Sequence, residues 1–407
     1  PQFVIVKRAS SGGNWVHVDT SRNFTAITSS STTNYMYSNR LTFNNDNDEE
    51  RSTLSITPHS NGFAVHGTTG DWNSNGADYI YIAIRKRTGL ATVNNRGKLF
   101  RTEVESSYAR PEEIRESADK DLIIGSVTGS ASSHSLSTRT LGGDMYTNST
   151  GSIDAGGTYN NYIRPRSNAD TFGPVWSNRV ISGYQGFYNM WRQQPGFLDI
   201  INWAGSGGSG TRTLNHHLGA TPAMIWWRYY DANSNWYVYH KNFTSGSQSS
   251  AHNNVMYLNS TTAVNASTSF WTQAPDENSL YLKADTSTIN GSGREFCAWI
   301  FAELEGVSSI GSYTGNGSST GPTVDCNFEN SPSYLLIKNM TSTGNWVMLN
   351  SVRGMGSDSN DKYMSLNTTS TEASANYVEP TSTGFQIKNT SSDINTNGAT
   401  YIYYAIA

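Results

Sequence analysis

The chain has 407 residues, of which 15% are charged, with a formal net charge of −4 and no run of apolar residues long enough to span a bilayer as a helix. Those figures argue against a nucleic-acid partner and against membrane insertion. Aromatic residues reach 12%, with 37 glycines and much Ser, Thr and Asn. That mixture suits short strands joined by many turns, because aromatic and β-branched side chains fit a pleated sheet and Gly, Asn and Ser fit bends.

In chain order, the first element is "PQFVIVKR" from Pro1, an apolar run that ends in a cation. A Gly/Ser/Asn turn follows, then "NWVHVD" around Trp15, then "NYMYSN" (Asn34–Asn39), and finally "YIYIAIR" from Tyr79. The same phrases return twice. "PAMIWWR" from Pro222 leads to "NWYVYH" at Trp236, "VMYLNS" and "FCAWIFAE". "PSYLLIK" from Pro332 leads to "NWVMLN" at Trp346, "KYMSLN" and the terminal "YIYYAIA". Trp236 and Trp346 are 110 residues apart, but Trp15 and Trp236 are 221 apart, so a further copy belongs between them. There, "DLIIGS" from Asp121 matches the opening strand, "GGDMYTNST" (Gly142–Thr150) the third and "GFYNMWRQ" the last. No Asn-Trp strand is found in this copy, which reads as degenerate. The one helix signal, "RPEEIRESADKD" (Arg110–Asp121), falls in the same segment.

The expected fold is therefore all-β: four β-sandwich or jelly-roll-like units in tandem, over residues 1–90, 91–195, 196–305 and 306–407, the second degenerate. The third and fourth copies carry a lead-in before their proline. The first has none, which leads us to expect an anchor upstream of Pro1. Alternation in "YIYIAIR" puts Ile80, Ile82 and Ile84 on one face and Tyr79, Tyr81 and Ala83 on the other. With both faces apolar, a cover on each is expected, from a neighbouring unit or another subunit.

The run from Tyr188 to Phe243, "FAELEGVSSIGSYTGNG" (Phe301–Gly317) and the terminal "NTNGATYIYYAIA" resemble repeat-containing virion proteins of marine tailed bacteriophages, those of cyanobacteria in particular. The resemblance covers the third and fourth copies well, the first fairly well and the second only at its ends. It implies a non-enzymatic structural part of a phage particle, a tail fibre or spike with a role in attachment to host-surface glycan. It further implies a homo-oligomer, with a trimer favoured, bound to other virion proteins. A head-surface decoration and a glycan-degrading spike are the alternatives. No catalytic residue and no cofactor is carried over.

Binding candidates come from the aromatic density at Trp226, Trp227, Arg228, Tyr229, Tyr230 and Trp236. Rings beside polar groups can stack on sugar faces and hydrogen-bond hydroxyls. The competing reading is packing or subunit contact. In a strand, Trp226 and Arg228 share one face, Trp227 and Tyr229 the other; the first copy has Ile and Val at matching places. Two loops, "DWNSNG" (Asp71, Asn73, Asn75) and "DINTNG" (Asp393, Asn395, Asn397), resemble the front half of a calcium loop. Each has one carboxylate and lacks the closing Glu, so a tight turn feeding the last strand is the expected role. His216, His217 and Cys326 have no further ligand pair at usable spacing, and Cys297 and Cys326 are expected to be buried thiols. The cations Arg85, Lys86, Arg87, Arg96, Lys98 and Arg101 read as an interdomain or intersubunit contact. Asn-x-Ser/Thr triplets at Asn23, Asn148, Asn259 and Asn367 are what chance gives in so Asn- and Ser-rich a chain.

Overall fold

The computed structural model describes residues 3–19, 37–42, 50–53, 56–59, 62–65, 70–84, 91, 96–105, 120–138, 141, 144–153, 162–165, 172–175, 185–246, 248–356 and 360–407. The three basic residues Arg85, Lys86 and Arg87 and most of the expected helix at 110–121 lie outside these.

The protein is nearly all β, and its strands pair antiparallel throughout. Four main sheets follow one another, between residues 3–84, 100–191, 198–301 and 308–406. Each keeps one strand order. The closing strand lies beside the opening strand, which pairs with the Asn-Trp strand, which pairs with the third. In the third sheet these are Glu295–Phe301, Met224–Tyr229, Tyr237–His240 and Asn254–Tyr257. The lead-in strand pairs with the other edge of the closing strand: Phe100–Glu105, Leu198–Ala204 and Ser308–Thr314 in the second, third and fourth sheets. In the first sheet, Tyr79–Ile84 is the edge strand among the described residues.

The second segment holds the strand pair that its opening and closing phrases lead one to expect: Leu122, Ile123 and Ile124 face Trp191, Met190 and Asn189. Its Asn-Trp strand has not disappeared. Ser135–Thr138 occupies that place, and His134 stands one residue before it as Trp236 stands before Tyr237. One alignment from the letters needs shifting. Val238 pairs with Met256 and Tyr237 with Tyr257, while His17 pairs with Leu41 and Val16 with Thr42. The counterpart of Met256-Tyr257 is thus Leu41-Thr42, not the look-alike Met36-Tyr37, because register follows backbone pairing and a strand can repeat similar letters along its length.

Alternation gives each sheet two apolar faces, and in the second, third and fourth sheets each is buried in a different core. One face packs on a small companion sheet. In the third unit this cluster includes Trp227, Tyr237, Trp271, Leu280 and Ile300; in the fourth, Leu335, Val347, Phe385 and Tyr403; in the first, Val4, Val6, Val16, Val18, Ile56 and Trp72. These are sandwich interiors. The opposite faces of the second, third and fourth sheets meet in a single cluster containing Ile124, Trp191, Trp226, Trp299, Phe301, Leu336 and Tyr404. Consecutive in sequence, these three sheets close on one another in space rather than standing as separate beads. The first sheet contributes nothing to that joint core; its Ile56–His59 strand lies beside Leu198–Ala204. No described helix is long and apolar enough to cross a membrane.

Candidate functional site

The aromatic stretch sits where the third sheet meets its neighbours. Trp226, Trp227, Arg228, Tyr230 and Trp236 are fully buried, and Tyr229 is half-buried under the Arg294 guanidinium, 5.4 Å from its ring. Trp227 packs in the sandwich interior against Tyr237, Phe270 and Trp271. Trp226, Tyr230 and Trp236 belong to the joint core. Rings enclosed on both faces cannot stack on a sugar, so for Trp226, Trp227, Tyr230 and Trp236 the glycan-platform reading is replaced by packing, while Tyr229 is only half-buried.

Register identifies the equivalent contacts. Trp236 Nε1 donates to the main-chain oxygen of Tyr146, in the second sheet, at 2.9 Å. Trp346 Nε1 donates to Tyr257 O, in the third sheet, at 2.9 Å. His134 Nε2 donates to Ser365 O, in the fourth sheet, at 3.1 Å, while its Nδ1 accepts from Ser126 Oγ at 2.7 Å. Tyr146, Tyr257 and Ser365 hold the same place, each facing the residue that follows the ring donor: Ser135 after His134, Tyr237 after Trp236 and Val347 after Trp346. Third to second, fourth to third and second to fourth, the bonds close a ring of three sheets. Trp and His fill the same position because each offers a ring N–H at the right reach.

Further bonds repeat between the sheets. Ile153 N donates to Tyr230 O and Ser234 N to Thr150 O, both at 2.8 Å. One unit later, Val264 N donates to Met340 O and Gly344 N to Thr261 O, both at 2.9 Å. The cation next to the end of the third and fourth opening strands reaches across the same junction: Arg228 Nη2 to Thr150 O at 3.0 Å and to Gly151 O, and Lys338 Nζ to Thr261 O at 3.2 Å. Burial lowers both proton affinities, that of Arg228 to about 9 and of Lys338 to about 8, with Asp393 opposing the shift at Lys338. The fourth-to-second junction uses other chemistry: the Arg353 guanidinium lies 3.9 Å over the Phe187 ring, and Trp191 meets Tyr334 edge to face at 5.4 Å.

The triplets at Asn259 and Asn367 have a structural role that their spacing did not reveal. Asn259 Oδ1 accepts from Trp236 N at 3.1 Å, and Asn367 Oδ1 from Trp346 N at 2.8 Å. Their Nδ2 groups donate to Asn235 and Asn345, the asparagines of the Asn-Trp pairs. Asn148 stands at the equivalent position in the second sheet, two residues after Tyr146.

The two Asp-Asn loops brace turns. Asp71 Oδ1 accepts from Asn14 N at 2.9 Å, and Asp393 Oδ1 from Asn345 N at 2.7 Å; their Oδ2 atoms accept from the Nδ2 groups of the same asparagines. Buried Asn395 accepts from Asn316 N and donates through Nδ2 to Asn316 Oδ1, Ser318 O and Asn389 O, so its side chain braces the loop. Asn75 and Asn397 are exposed and Asn73 is half-buried. Gly76 and Gly398 follow at φ 71° and 74°, the left-handed conformation that turns the chain into its closing strand. The described residues contain no group of three or more His, Cys, Asp or Glu that could hold a metal. His216 bonds to Asp276 O, and His217 N to Asp199. Cys297 and Cys326 are free and buried, in different cores.

Together these features define an all-β protein of antiparallel sheets whose most distinctive residues hold sheets to one another. The chain belongs to the family described as Domain of unknown function (DUF7483), whose model matches residues 1–87 and 191–407. The unmatched stretch carries most of the second sheet. No curated protein and no solved structure matches the chain.

Proposed function

We propose that the chain is a non-enzymatic structural component of a tailed-phage particle, a fibre or spike part that presents a rigid block at the particle surface. The observation that carries this reading is the ring: three sheets of one polypeptide share a single core and are cross-tied by equivalent indole and imidazole bonds. Trp226, Tyr230 and Trp236 of the third sheet are spent on that shared core. The phage resemblance of the Tyr188–Phe243 run and of the chain's end supplies the setting. Attachment to host glycan, in this reading, uses surface other than Trp226–Tyr230 and Trp236.

Gold-labelled antibody against the chain, applied to purified particles, tests the setting; label at one fixed place on every particle is the expected result. Incubation with host polysaccharide tests the chemistry. Retention of polysaccharide, or no interaction, fits a structural role, whereas release of oligosaccharide would overturn it in favour of a glycan-degrading spike.

A further inference from the structure

In the fourth unit the lead-in finishes both sheets of the sandwich. Ser308–Thr314 extends the main sheet beside Thr400–Ile406, and Thr323–Asp325 extends the companion sheet beside Gly384–Ile387. The third unit does the same with a segment of equal length, Leu198–Ala204 on its closing strand and Thr211–Asn215 on Ser279–Lys283. Among the described residues the first unit has neither strand. Tyr79–Ile84 is an edge of its main sheet, and Gly62–Val65 pairs only with Ile56–His59.

The first and fourth units otherwise match closely enough to compare side chains. Ile56 faces Val65 as Val378 faces Ile387, within "ITPHSNGFAV" and "VEPTSTGFQI". Phe63 meets Tyr81 edge to face at 5.0 Å, as Phe385 meets Tyr403 at 5.4 Å, and both pairs bridge the two sheets on the interior side of the sandwich. Yet Tyr81 is 64% exposed and Tyr403 only 7%, and Val65 is 36% exposed where Ile387 is fully buried. The lead-in makes that difference. Tyr313 and Val324 enter the fourth interior, with Tyr313 stacked on Tyr401 at 5.1 Å. Gly311 faces Tyr403, whose ring leaves no room for a Cβ, and Ser309 Oγ lies 3.2 Å from the Tyr403 hydroxyl.

The main chain is open on the same side. Ala9 N donates to Asp78 O toward the opening strand, so alternation directs the N–H and C=O groups of Tyr79, Tyr81 and Ala83 to the outer edge. In the fourth unit that side belongs to the lead-in: Gly315 N donates to Ala399 O, and Ala407 N to Val307 O. An edge strand of six apolar residues, with no charge or proline among them, is one that proteins ordinarily cover.

We propose that the first unit is a strand acceptor. A strand–turn–strand segment of a second polypeptide adds antiparallel to Tyr79–Ile84 and to Gly62–Val65 and completes the sandwich. The segment carries an aromatic residue at the place of Tyr313, an aliphatic one at the place of Val324 and a small one opposite Tyr81. The way the other lead-ins arrive characterises the partner. Each follows the closing strand of the preceding unit through a short turn, bridged at Gln194–Leu198 and Leu304–Ser308, so one unit supplies the strand that finishes another. The partner is therefore a protein with a unit of this build. A second copy of this chain has its lead-ins at Phe100–Glu105, Leu198–Ala204 and Ser308–Thr314 already seated in its own sheets. The inference rests on the fold and not on the phage setting.

A fluorescein-labelled peptide with the sequence of Ser308–Asp325, titrated with the full chain and read by anisotropy, is expected to bind saturably in the micromolar range. Ala83→Pro removes one outward N–H at an edge position that tolerates proline, and should weaken binding by about tenfold or more. The peptide carrying Tyr313→Asp and Val324→Asp leaves the protein untouched and should lose at least as much. Absence of saturable binding would overturn the proposal, as would binding that either change leaves unaltered. Should Ala83→Pro fail to fold, the altered peptide decides alone. Self-association of the wild-type chain that Ala83→Pro abolishes, seen by sedimentation without peptide, would put a second copy on this edge and also overturn it.

Discussion

The first and third sheets have the same strand order and the same register, yet one puts Ile80, Ile82 and Ile84 where the other puts Cys297, Trp299 and Phe301. The difference is in what each face meets. Trp299 stacks near Trp236, 5.2 Å away, inside a core built by three sheets, where a large ring fills the gap between backbones that diverge from a common centre. The first sheet uses smaller, stiff side chains on an exposed edge strand. Aromatic richness in the third unit therefore reports depth of burial, not a ligand.

The largest test of that contrast is truncation. Trp299→Ala should lower the unfolding free energy by about 3–5 kcal/mol, since it removes a fully buried ring from a core with little freedom to collapse. Ile82→Ala, at a side chain more than half exposed, should change stability by about 0.5 kcal/mol or less. Urea denaturation followed by far-ultraviolet circular dichroism measures both, and equal losses would break the comparison.

Acid should also separate the two sheets. His240 is fully buried beside Lys241, and burial holds its proton affinity down to about 3, whereas its first-sheet counterpart is Asp19, half-buried and paired with His17 at 2.9 Å. With the folded value depressed, the unfolded chain binds a proton first as pH falls below about 6.5, so stability is lost from there down toward pH 3. Glu295 works the other way. Desolvation, with Asp231 adding to it, raises its value to about 7, so its contribution is present below the ordinary carboxyl range and disappears as pH rises through 7. Between about pH 4.5 and 6.5 the two slopes oppose. His240→Asn should remove an acid sensitivity on the order of 2–4 kcal/mol, and Glu295→Gln should steepen it. Thermal melts across pH 3–8 show the sign, and an unchanged profile in His240→Asn would count against the buried neutral imidazole.

A smaller effect is expected from the ring bonds. Trp236→Phe and Trp346→Phe keep an aromatic ring but shrink it and strand the carbonyls of Tyr146 and Tyr257, the lost bond alone costing about 1–3 kcal/mol each. Trp15→Phe in the first sheet, where the side chain is exposed, should cost less than either. If all three cost the same, the indole N–H contributes nothing particular to the ring.

Strand existence was legible in the sequence because period-two alternation and a recurring Asn-Trp survive in three of the copies. Pairing within the second segment was legible from Leu122–Ile124 and Trp191. What the letters hid was equivalence of chemistry under different names. His134 does for the second sheet what Trp236 and Trp346 do for the others, and no propensity links imidazole to indole. Likewise Met36-Tyr37 imitates Met256-Tyr257 while the backbone pairs Leu41-Thr42. The joint core was hidden for a different reason. Alternation shows that a strand has two apolar faces, but which face meets another sheet depends on contacts far apart in sequence, as between His134 and Ser365, 231 residues apart. Asn259 and Asn367 were dismissed with the many other asparagines, since a side chain that caps one main-chain N–H leaves no periodic trace.

The smallest expected effect concerns the loops, in which the first and fourth units agree most closely. Asp71 and Asp393 each accept one main-chain N–H, and Tyr79 and Tyr401 donate from inside the loop to Gly70 O and Ser392 O, both at 2.9 Å. Asp71→Asn and Asp393→Asn keep one acceptor oxygen for the main-chain N–H but lose the charge and the second acceptor that the Asn14 and Asn345 amides use, so each should cost about 0.5–1.5 kcal/mol. The same geometry sets what calcium should do. A site with micromolar affinity, saturated a hundredfold, would stabilise the fold by about 2.7 kcal/mol, which thermal melts resolve easily. Asn395 has its oxygen and its amide committed to Asn316, Ser318 and Asn389, so melts in millimolar calcium and in chelator should coincide. A calcium-dependent rise that vanishes in Asp71→Asn but persists in Asp393→Asn would place an ion in the first loop alone, and would show that two loops of the same sequence pattern differ in the way the two sheets do.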